Sequence, residues 1–407
     1  SEVGATRTAP AAGAESLTVA LFSCANFPYG YFHAYGHAAA REDIDIALHV
    51  GDYIYEVGRG QYPSTVDAVP GRVIDPVTEI VSLSDYYQRY ACYHTDPDLL
   101  ALRRAKPISV VWDDHELAND AWRAGAAAHD PLTEGLYADR IAAASKAYFD
   151  WMPIRLPERR GSRIYRSLDW GGLARILLLD TRYIGRDQQL DYRTTIGPRL
   201  AAGEDPAALA NEFRALLDDP SRTMLGAAQE RWFTEALAAS KGAGHTWQVI
   251  AQQIQVAPQA APADITRLIG PEIAAGGRAW FETASRLTPL GLPWNLDNWN
   301  GYPAARSRLL EACVANAANA ILLGGDSHNC WVNNLPLGNR MAALEFAGGS
   351  VSSPGMERTL TAAQPGERES MLRAANPQLA FCDVTHRGYA ALRFTRTACE
   401  AEWVAFE

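Results

Sequence analysis

The sequence predicts an α/β fold with a substantially parallel sheet, in a mixed architecture of two sheets and outer helices. Three observations support this fold class. Short apolar runs typical of buried strands recur along the 407 residues, helical patterns lie between many of them, and two segments have the pattern of antiparallel hairpins. A chain of this length forms one large α/β domain or two domains. Because no internal repeat and no linker interrupts it, we expect one domain over residues 17–407.

The elements follow in chain order. Strands are predicted for LTVALFSC (17–24), IDIALHVGD (44–52), ISVVWDD (108–114), LARILLLD (173–180), TWQVIAQQI (246–254), NAILLGGD (319–326) and MAALEFAG (341–348). Helices are predicted over 31–43, 139–152, 227–240 and 303–317, with one more around 271–286. Hairpins are predicted over 162–180, with the turn at Asp169 to Gly172, and over 388–407.

Two segments depart from this pattern. Residues 1–15 are rich in Ala, Pro and Gly and contain no apolar core of a signal peptide, so we expect residues 1–16 to be disordered. They resemble the start of a mature chain, and we expect a periplasmic or secreted protein. The 255–302 segment is rich in Pro, Gly and Trp without a clean period. Such long loops usually form lids or pocket walls, and we expect a lid-like excursion over one end of the sheets.

Composition excludes several classes of function. The net charge of −10 argues against a general affinity for nucleic acid or anionic membranes. No apolar run approaches the ~18 residues that span a bilayer. The six cysteines form no CxxC pair, which disfavours a zinc knuckle. Cys382 and Cys399 could pair in an oxidising compartment or remain free thiols, and the sequence leaves both open, as it does the oligomeric state.

Polar residues follow four of the predicted strands. Cys24 and Asn26 follow the first, Asp52 and Tyr55 the second, Asp113, Asp114 and His115 the third, and Asp326 and His328 a late strand. Ligands bind at the carboxyl ends of strands in α/β sheets, and converging buried carboxylates need a cation. Taken singly, these motifs are also typical of a turn, a capped helix or a buried thiol. Their joint occurrence predicts a polynuclear metal site.

These motifs carry a family resemblance. SCANFPYGYFHAYGHAAAREDIDIALHVGDYIYE, WDDHE, DTR at 180–182, RTMLGAAQERW, DNWNGYPAAR, GGDSHNCW and SVSSPG occur in this order. Together they resemble the alkaline phosphatase D family of calcineurin-like metallophosphoesterases, over nearly the whole chain from about residue 17. The resemblance implies a four-layer sandwich of two facing mixed sheets flanked by helices. It also implies an iron bound by thiolate and tyrosinate, calcium beside it, and hydrolysis of phosphate monoesters or diesters.

The resemblance implies a role for individual residues. Cys24 and Tyr55 match the ligands of ferric iron, and Asp52 matches the carboxylate that bridges the metals. The remaining metal ligands are Asp114, Asp326 and His328. Carboxylate oxygens suit one or two calcium ions, whereas thiolate, phenolate and imidazole suit a transition metal, and other divalent metals stay open.

The expected reaction is in-line attack of a metal-activated hydroxide on phosphorus. His115, which matches the phosphate-facing histidine, stabilises the phosphoryl oxygens or protonates the leaving group. Arg182 is expected to clamp a phosphate oxygen, and Asn26 is a further catalytic candidate. The chain departs from its relatives at Gln252 and Gln253, where Asn-Gln is common, and at Asn300, where Asp is common. Many relatives also carry a small β-domain ahead of the catalytic domain.

Two alternatives remain from the sequence. Ser327 in GGDSH could act as a covalent nucleophile, although the nine histidines are widely spread and GxSxG is absent. A relative that binds phosphate or metal without catalysis could also keep the scaffold, but none of the six core ligands is missing. The preferred ester class depends on the 255–302 segment and is left open.

Overall fold

The computed structural model describes residues 3–62, 64–155, 163–262, 264–273 and 275–406. Its strands are β1 Ser16–Phe22, β2 Ile46–His49, β3 Ile108–Val110, β4 Ala121–Trp122, β5 Gly125–Ala126, β6 Arg166–Trp170, β7 Ala174–Leu178, β8 Trp247–Ala251, β9 Ala320–Gly324, β10 Cys330–Leu337, β11 Arg340–Ala347, β12 Leu379–Asp383, β13 Arg387–Thr395 and β14 Cys399–Phe406. Its α-helices are α1 His33–Ala40, α2 Leu83–Tyr93, α3 Pro97–Ala105, α4 Tyr137–Trp151, α5 Tyr192–Thr195, α6 Gly197–Ala201, α7 Pro206–Leu217, α8 Gly226–Gly242, α9 Ala275–Leu287, α10 Pro303–Asn316 and α11 Pro365–Ala375.

Two mixed sheets form the framework. The first has five strands in the order β14-β13-β1-β2-β3, and the second has seven in the order β12-β10-β11-β9-β8-β7-β6. In the first, β1, β2 and β3 are parallel, while β13 and β14 pair antiparallel. In the second, β7, β8, β9 and β11 are parallel, with antiparallel strands at both edges. The carboxyl ends of the parallel strands within each sheet therefore meet at one rim.

The second sheet is buried on both faces. Along β8, Val249 and Ala251 belong to the core cluster that contains the first sheet, whereas Ile250 belongs to the cluster with α8 and α10. Successive side chains of a strand point to opposite faces, so one face meets the other sheet and the other meets helices. Trp247 packs on Phe394 of the first sheet, with ring centroids 5.7 Å apart. This arrangement explains the continuous apolar runs that predicted these strands.

The first sheet alternates in the same way. Leu21 lies toward the second sheet, near the backbone of Gly348. Phe22 lies toward α1, with its ring 5.0 Å from that of Tyr35. Helix, sheet, sheet and helix thus form four layers, and the predicted fold class is confirmed.

The predicted elements differ from the observed ones mainly at strand ends and at polar elements. All seven predicted strands are present, but β3 ends at Val110 because residues 111–114 bend into the rim. The first hairpin turns at 171–173, since Trp170 pairs with Ala174. Strand β10 was not predicted, since CWVNNLPL carries Asn333, Asn334 and Pro336 among its apolar residues. Helices α2, α3, α7 and α11 were also missed.

The two unusual segments can be placed in part. Residues 3–15 contain no helix or strand, and the carbonyl of Pro10 accepts a hydrogen bond from Gly171 N at 2.9 Å. Disorder over 1–16 stays a prediction, and residues 1 and 2 lie outside the described part. The 255–302 segment contains α9 and short 3-10 turns, and its lid-like character likewise stays a prediction.

The structure bears on disulfide pairing and on membrane-spanning helices. All six cysteines are free, and Cys382 on β12 and Cys399 on β14 lie in different sheets, so the free-thiol alternative holds in this structure. None of the helices in the described ranges is both long enough and apolar enough to cross a membrane.

A buried carboxyl group holds the start of the 255–302 segment. Glu345 on β11 is fully buried and accepts hydrogen bonds from Val256 N at 2.5 Å, Ala257 N at 3.1 Å and the Asn333 side-chain amide at 3.1 Å. Burial raises the pKa of Glu345 to about 7, although these three donors lower it. The chain is therefore anchored to the second sheet where it leaves β8.

We expect Glu345 to make folding pH-dependent. Because its folded-state pKa lies above the ordinary value, the folded state binds more protons between about pH 4.5 and pH 7, and the free energy of unfolding falls as pH rises through this window. Glu345→Gln should remove this decrease in the free energy of unfolding, which is on the order of 3 kcal/mol over the whole window. Urea unfolding at several pH values measures it. Exposed Glu311→Gln is the control. An unchanged slope in Glu345→Gln would contradict the assignment.

Candidate metal centre

The loops that follow β1, β2, β3 and β9 converge at the rim of the two sheets. Cys24 N donates to Gly51 O at 3.1 Å and Ala25 N to Asp52 O at 2.9 Å, which ties the first loop to the second. The backbone N–H groups of Ser352 and Ser353 donate to Cys24 O at 3.4 and 3.2 Å. The loop after β11 in the second sheet is thus bonded to the loop after β1 in the first.

The backbone of this region is bent into the left-handed conformation. Among the described residues, positive φ outside glycine occurs at Cys24, Asp52, Asp120, Asp326 and His328, with values from 55° to 61°. This conformation costs of order 1–3 kcal/mol at a residue with a side chain and clusters at functional sites. All five residues lie at the rim, where the bend turns their side chains toward one another.

Potential metal ligands form overlapping groups. Four sets each place one ligand atom per residue within 4.8 Å of the others: Cys24, Asp52 and His328; Asp52, Asp114 and His115; Asp113, Asp114 and Asp326; Asp114, Asp120 and Asp297. Asp52 is common to the first two sets and Asp114 to the last three. The sets are therefore neighbouring parts of one centre.

Tyr55 adds a phenol to the first set. Its hydroxyl donates to Asp52 Oδ2 at 3.1 Å and lies 3.2 Å from His328 Nε2. Ser353 Oγ donates to the same hydroxyl at 2.7 Å. His328 Nδ1 lies 2.8 Å from the Pro354 carbonyl, an acceptor only, so Nδ1 carries the proton in this contact and Nε2 is free to act as a ligand.

The residues present fit a bound cation. Asp52 Oδ1 and Asp113 Oδ2 are buried and have no hydrogen-bond partner within the described ranges. A buried carboxylate oxygen without a partner is costly unless a cation lies against it. Thiol, phenol, imidazole and carboxylate groups together suit a transition metal beside a harder ion.

The pKa values of the protein groups alone point the same way. Burial raises the pKa of the Asp52 carboxyl well above its usual range, and Asp113 and Asp114 raise it further. Burial and Asp52 likewise raise the pKa of the Cys24 thiol. Burial raises the pKa of Asp326 to about 7 despite Arg182 nearby. Metal binding needs the deprotonated forms, so a bound cation would supply the positive charge that this cluster lacks.

His115 is held at the edge of the centre. Its Nδ1 lies 2.6 Å from Glu56 Oε2, and its ring lies 4.2 Å from that of Tyr55. Glu56 is itself fixed by Asn119 N at 2.6 Å. Burial lowers the pKa of His115, but Glu56 and the site carboxylates more than offset it and hold the pKa well above its usual range. The imidazole is thus oriented through Nδ1.

Glu116 ties two of the converging loops together. Its carboxylate accepts the backbone N–H groups of Asp52 at 3.0 Å, Tyr53 at 2.6 Å and Asp113 at 2.7 Å. It is buried with its three partners. Glu116 therefore orients the loops that follow β2 and β3.

Arg182 lies among the carboxylates with no exposed surface. Its Nε donates to Asp113, and its Nη1 donates to both oxygens of Asp297 at 3.0 and 2.8 Å. Its Nη2 lies 3.4 Å from Asp326 Oδ1 and 3.5 Å from Asp114 Oδ1. All three nitrogens are directed at carboxylates, so the guanidinium neutralises and positions them.

Asn26 and Ser327 have contrasting surroundings. Asn26 is buried, its Nδ2 lies 3.4 Å from Tyr62 O, and its Oδ1 has no partner in the described part of the chain. Ser327 Oγ accepts from Trp331 Nε1 at 2.8 Å and lies 3.4 Å from Asn329 O. Neither of these two contacts, which lie within the described ranges, involves a histidine, a lysine or a carboxylate that could act as a base.

Several contributors were not predicted from the sequence. Glu56, Asp297, Asp120 and Ser353 were not assigned, although Glu56 ends GDYIYE and Asp297 begins DNWNGY. Of the positions that depart from relatives, Gln252 accepts from Trp299 Nε1 at 3.0 Å, Gln253 accepts from Thr181 Oγ1 at 2.7 Å, and Asn300 contacts Asn298. In these contacts all three support loops around the centre.

Comparisons with known proteins identify relatives. The sequence pattern of the PhoD-like phosphatase family matches residues 19–403. Alkaline phosphatase D of Bacillus subtilis (strain 168) is 32% identical, over 99% of this chain and 61% of that protein, so the chain spans about three fifths of this relative. A solved structure of PhoD superposes with a TM-score of 0.73 at 29% identity, covering 98% of this chain and 68% of the other.

A more distant similarity concerns the fold alone. The structure of purple acid phosphatase PPD1 from yellow lupin (Lupinus luteus) seeds superposes with a TM-score of 0.52 at 13% identity, covering 98% of this chain and 53% of the other. The two proteins therefore share the two-sheet framework.

Glu116→Ala should destabilise the fold independently of any metal. Three buried N–H groups lose their acceptor, each worth about 1–3 kcal/mol, so the free energy of unfolding should fall by at least ~3 kcal/mol. Urea unfolding in the presence of a chelator measures this without a contribution from metal binding. Exposed Glu235→Ala on α8 is the matched control. Equal stabilities of the two variants would show that Glu116 does not hold the loops.

Proposed function

The chain belongs to the PhoD-like phosphatase family, and from this premise we propose that it hydrolyses phosphate esters with the help of bound metal ions. The residues proposed to hold the metals are Cys24, Asp52, Tyr55, Asp114, Asp326 and His328. The observation that carries the proposal is the position of Asp52. It belongs both to the set with Cys24 and His328 and to the set with Asp114 and His115, and its Oδ1 has no partner in the described structure. A carboxylate so placed can bridge two cations.

We propose that the two sides of Asp52 take different metals. On one side lie a thiol, a phenol and an imidazole nitrogen, which suit ferric iron. On the other lie Asp114 and Asp326, whose hard oxygens suit calcium. The shared Asp52 and the nearby Asp113 add negative charge that a pair of cations would offset.

The protein's own residues complete the chemistry. Phosphate esters resist attack by water because their negatively charged oxygens repel a nucleophile. When bound, the cations would offset this charge and lower the pKa of a coordinated water. His115 donates its Nδ1–H to Glu56, and the neighbouring carboxylates raise its pKa, so we assign to it the imidazolium form with a second proton at Nε2. From there the imidazole stabilises a phosphoryl oxygen or protonates the leaving alkoxide as water attacks from the opposite side.

We assign Arg182 a positioning role. Its contacts with Asp113, Asp297 and Asp326 support this role, whereas a direct clamp on phosphate stays a prediction. Asn26 is a candidate to contact substrate or water, since its buried Oδ1 has no partner among the described residues. Each role is a proposal that its variant tests.

The alternatives have less support. Ser327 lacks a base in the contacts described above, so covalent catalysis through it is disfavoured. A non-catalytic binder would not need a histidine oriented by a buried glutamate. Activity on p-nitrophenyl phosphate with and without chelator separates an enzyme from a binder. We further propose a periplasmic or secreted location.

The iron assignment predicts a coloured protein. Thiolate and phenolate ligands give ferric iron a charge-transfer band in the visible region, so Cys24→Ser and Tyr55→Phe should weaken or shift it and lower activity. Absorption spectra and elemental analysis of the purified variants measure this. Cys313→Ser, at a buried thiol on α10, is the control and should keep the band. A colourless wild-type protein that holds only zinc and is fully active would exclude the iron assignment.

Asp114→Ala and His115→Ala should fail differently. Loss of the Asp114 carboxylate should lower calcium content, and thermal stability should fall with it because bound metal stabilises the fold. His115→Ala should keep its metals but lose turnover by ~10²–10⁴-fold. Metal analysis, thermal melts and steady-state kinetics give the three readouts. A fully active His115→Ala protein would show that the roles within WDDHE are assigned to the wrong residues.

A further inference from the structure

A cleft of about 450 Å³ opens beside the metal centre, with Asp120, Asp297 and Asp326 at its inner end. Its volume lies in the range of small-molecule sites, ~300–1,000 Å³. One wall comes from the 255–302 segment and the other from residues after β3 and from 188–194. Asp326 belongs both to the metal centre and to the lining of the cleft. A group esterified to a phosphate at the centre would therefore lie next to this cleft.

Aromatic side chains line the cleft on both walls. Trp280 on α9 and Trp294 lie on one wall, with ring centroids 5.9 Å apart, and Trp122 lies on the other. The position of Trp122 depends on Gly125 in the β4–β5 hairpin. A Cβ at Gly125 would lie 2.4 Å from Trp122 Cζ2, so only glycine lets the indole lie across the hairpin.

The described lining of the cleft combines uncharged polar groups with four carboxylates and one basic side chain. Gln188, Gln189 and Asn295 contribute amides. Among the described lining residues, the basic side chain is that of Arg193, and its Nη2 donates to Asp191 Oδ2 at 2.9 Å. The inner end carries carboxylates. An additional anionic group on the substrate would thus meet carboxylates and an arginine that is already paired.

We propose that this cleft is the leaving-group subsite and that it takes an uncharged, hydroxyl-bearing group such as a sugar or polyol. The indoles offer flat apolar surfaces to the C–H face of such a group, and the amides donate to and accept from its hydroxyls. A leaving group with a second negative charge is disfavoured because, among the described lining residues, the arginine is paired with Asp191 and the other charged groups are carboxylates. This inference rests on the proposed phosphate-ester hydrolysis and deepens it by naming the substrate class.

The charge preference is tested with two matched esters. Sorbitol 6-phosphate and 6-phosphogluconate are both primary phosphate esters of a six-carbon hydroxylated chain, and the second carries a carboxylate at its far end. With the metal-loaded wild-type protein, we expect kcat/KM to be at least ~10-fold higher for sorbitol 6-phosphate, a difference of about 1.4 kcal/mol. An equal or higher value for 6-phosphogluconate would overturn the proposal.

The position of the subsite is tested with Trp280→Ala. We expect it to lower the ratio of kcat/KM for glucose 6-phosphate to that for ethyl phosphate about tenfold, chiefly through KM, since ethyl phosphate has no ring to pack on the indole. Gly125→Ala, which displaces Trp122, should lower the same ratio. Trp403→Ala is the matched control, because this indole stacks on Phe381 at the sheet edge, and it should keep the wild-type ratio.

The outcomes separate the subsite from the reaction. A wild-type protein loaded with iron and calcium that hydrolyses none of the four esters, and neither p-nitrophenyl phosphate nor bis(p-nitrophenyl) phosphate, would contradict the proposed function itself. A protein that hydrolyses them, with ratios that Trp280→Ala and Gly125→Ala leave unchanged while both variants melt as the wild type does, would contradict the subsite alone.

Discussion

Repulsion among buried carboxylates is the interaction on which the rest of this structure depends. Asp52, Asp113 and Asp114 lie together with little exposed surface, and Asp326 approaches them from the second sheet. Such a cluster cannot be ionised without positive charge between its members. Arg182, which is buried among these carboxylates, supplies part of that charge. Asp52 Oδ1 and Asp113 Oδ2 have no hydrogen-bond partner in the described part of the chain, and they mark where further positive charge is needed.

The two-sheet framework makes this cluster possible. Parallel strands of both sheets end at one rim, so side chains distant in sequence arrive together without long loops of their own. The loops are then bonded to one another through Cys24 O and through the carboxylate of Glu116. The apolar faces between the sheets provide a rigid base, and the polar loops above it are held by hydrogen bonds. Precision at the site therefore depends on the packing below it.

Much of the site could be predicted because it is local. GDYIYE and WDDHE each place several polar groups directly after an apolar strand, and the position of a strand end follows from the pattern of the strand. The contacts of Arg182 with Asp113 and Asp297 join residues 69 and 115 positions apart, and no local pattern encodes such a pairing. Strand β10 was missed for a related reason, since its polar Asn333 faces buried Glu345 from β11.

The left-handed backbone at the rim has a consequence for stability. Glycine adopts this conformation at lower cost than aspartate, cysteine or histidine. A substitution of Cys24 or His328 by glycine would relieve the backbone strain at that position but would remove a potential metal ligand. In the absence of metal, such an exchange would therefore favour the folded backbone, whereas in its presence the stabilisation by the bound cation would be lost. A cysteine, aspartate or histidine at such a position would therefore offset its backbone strain only through the contacts that its side chain makes, such as that with a bound cation.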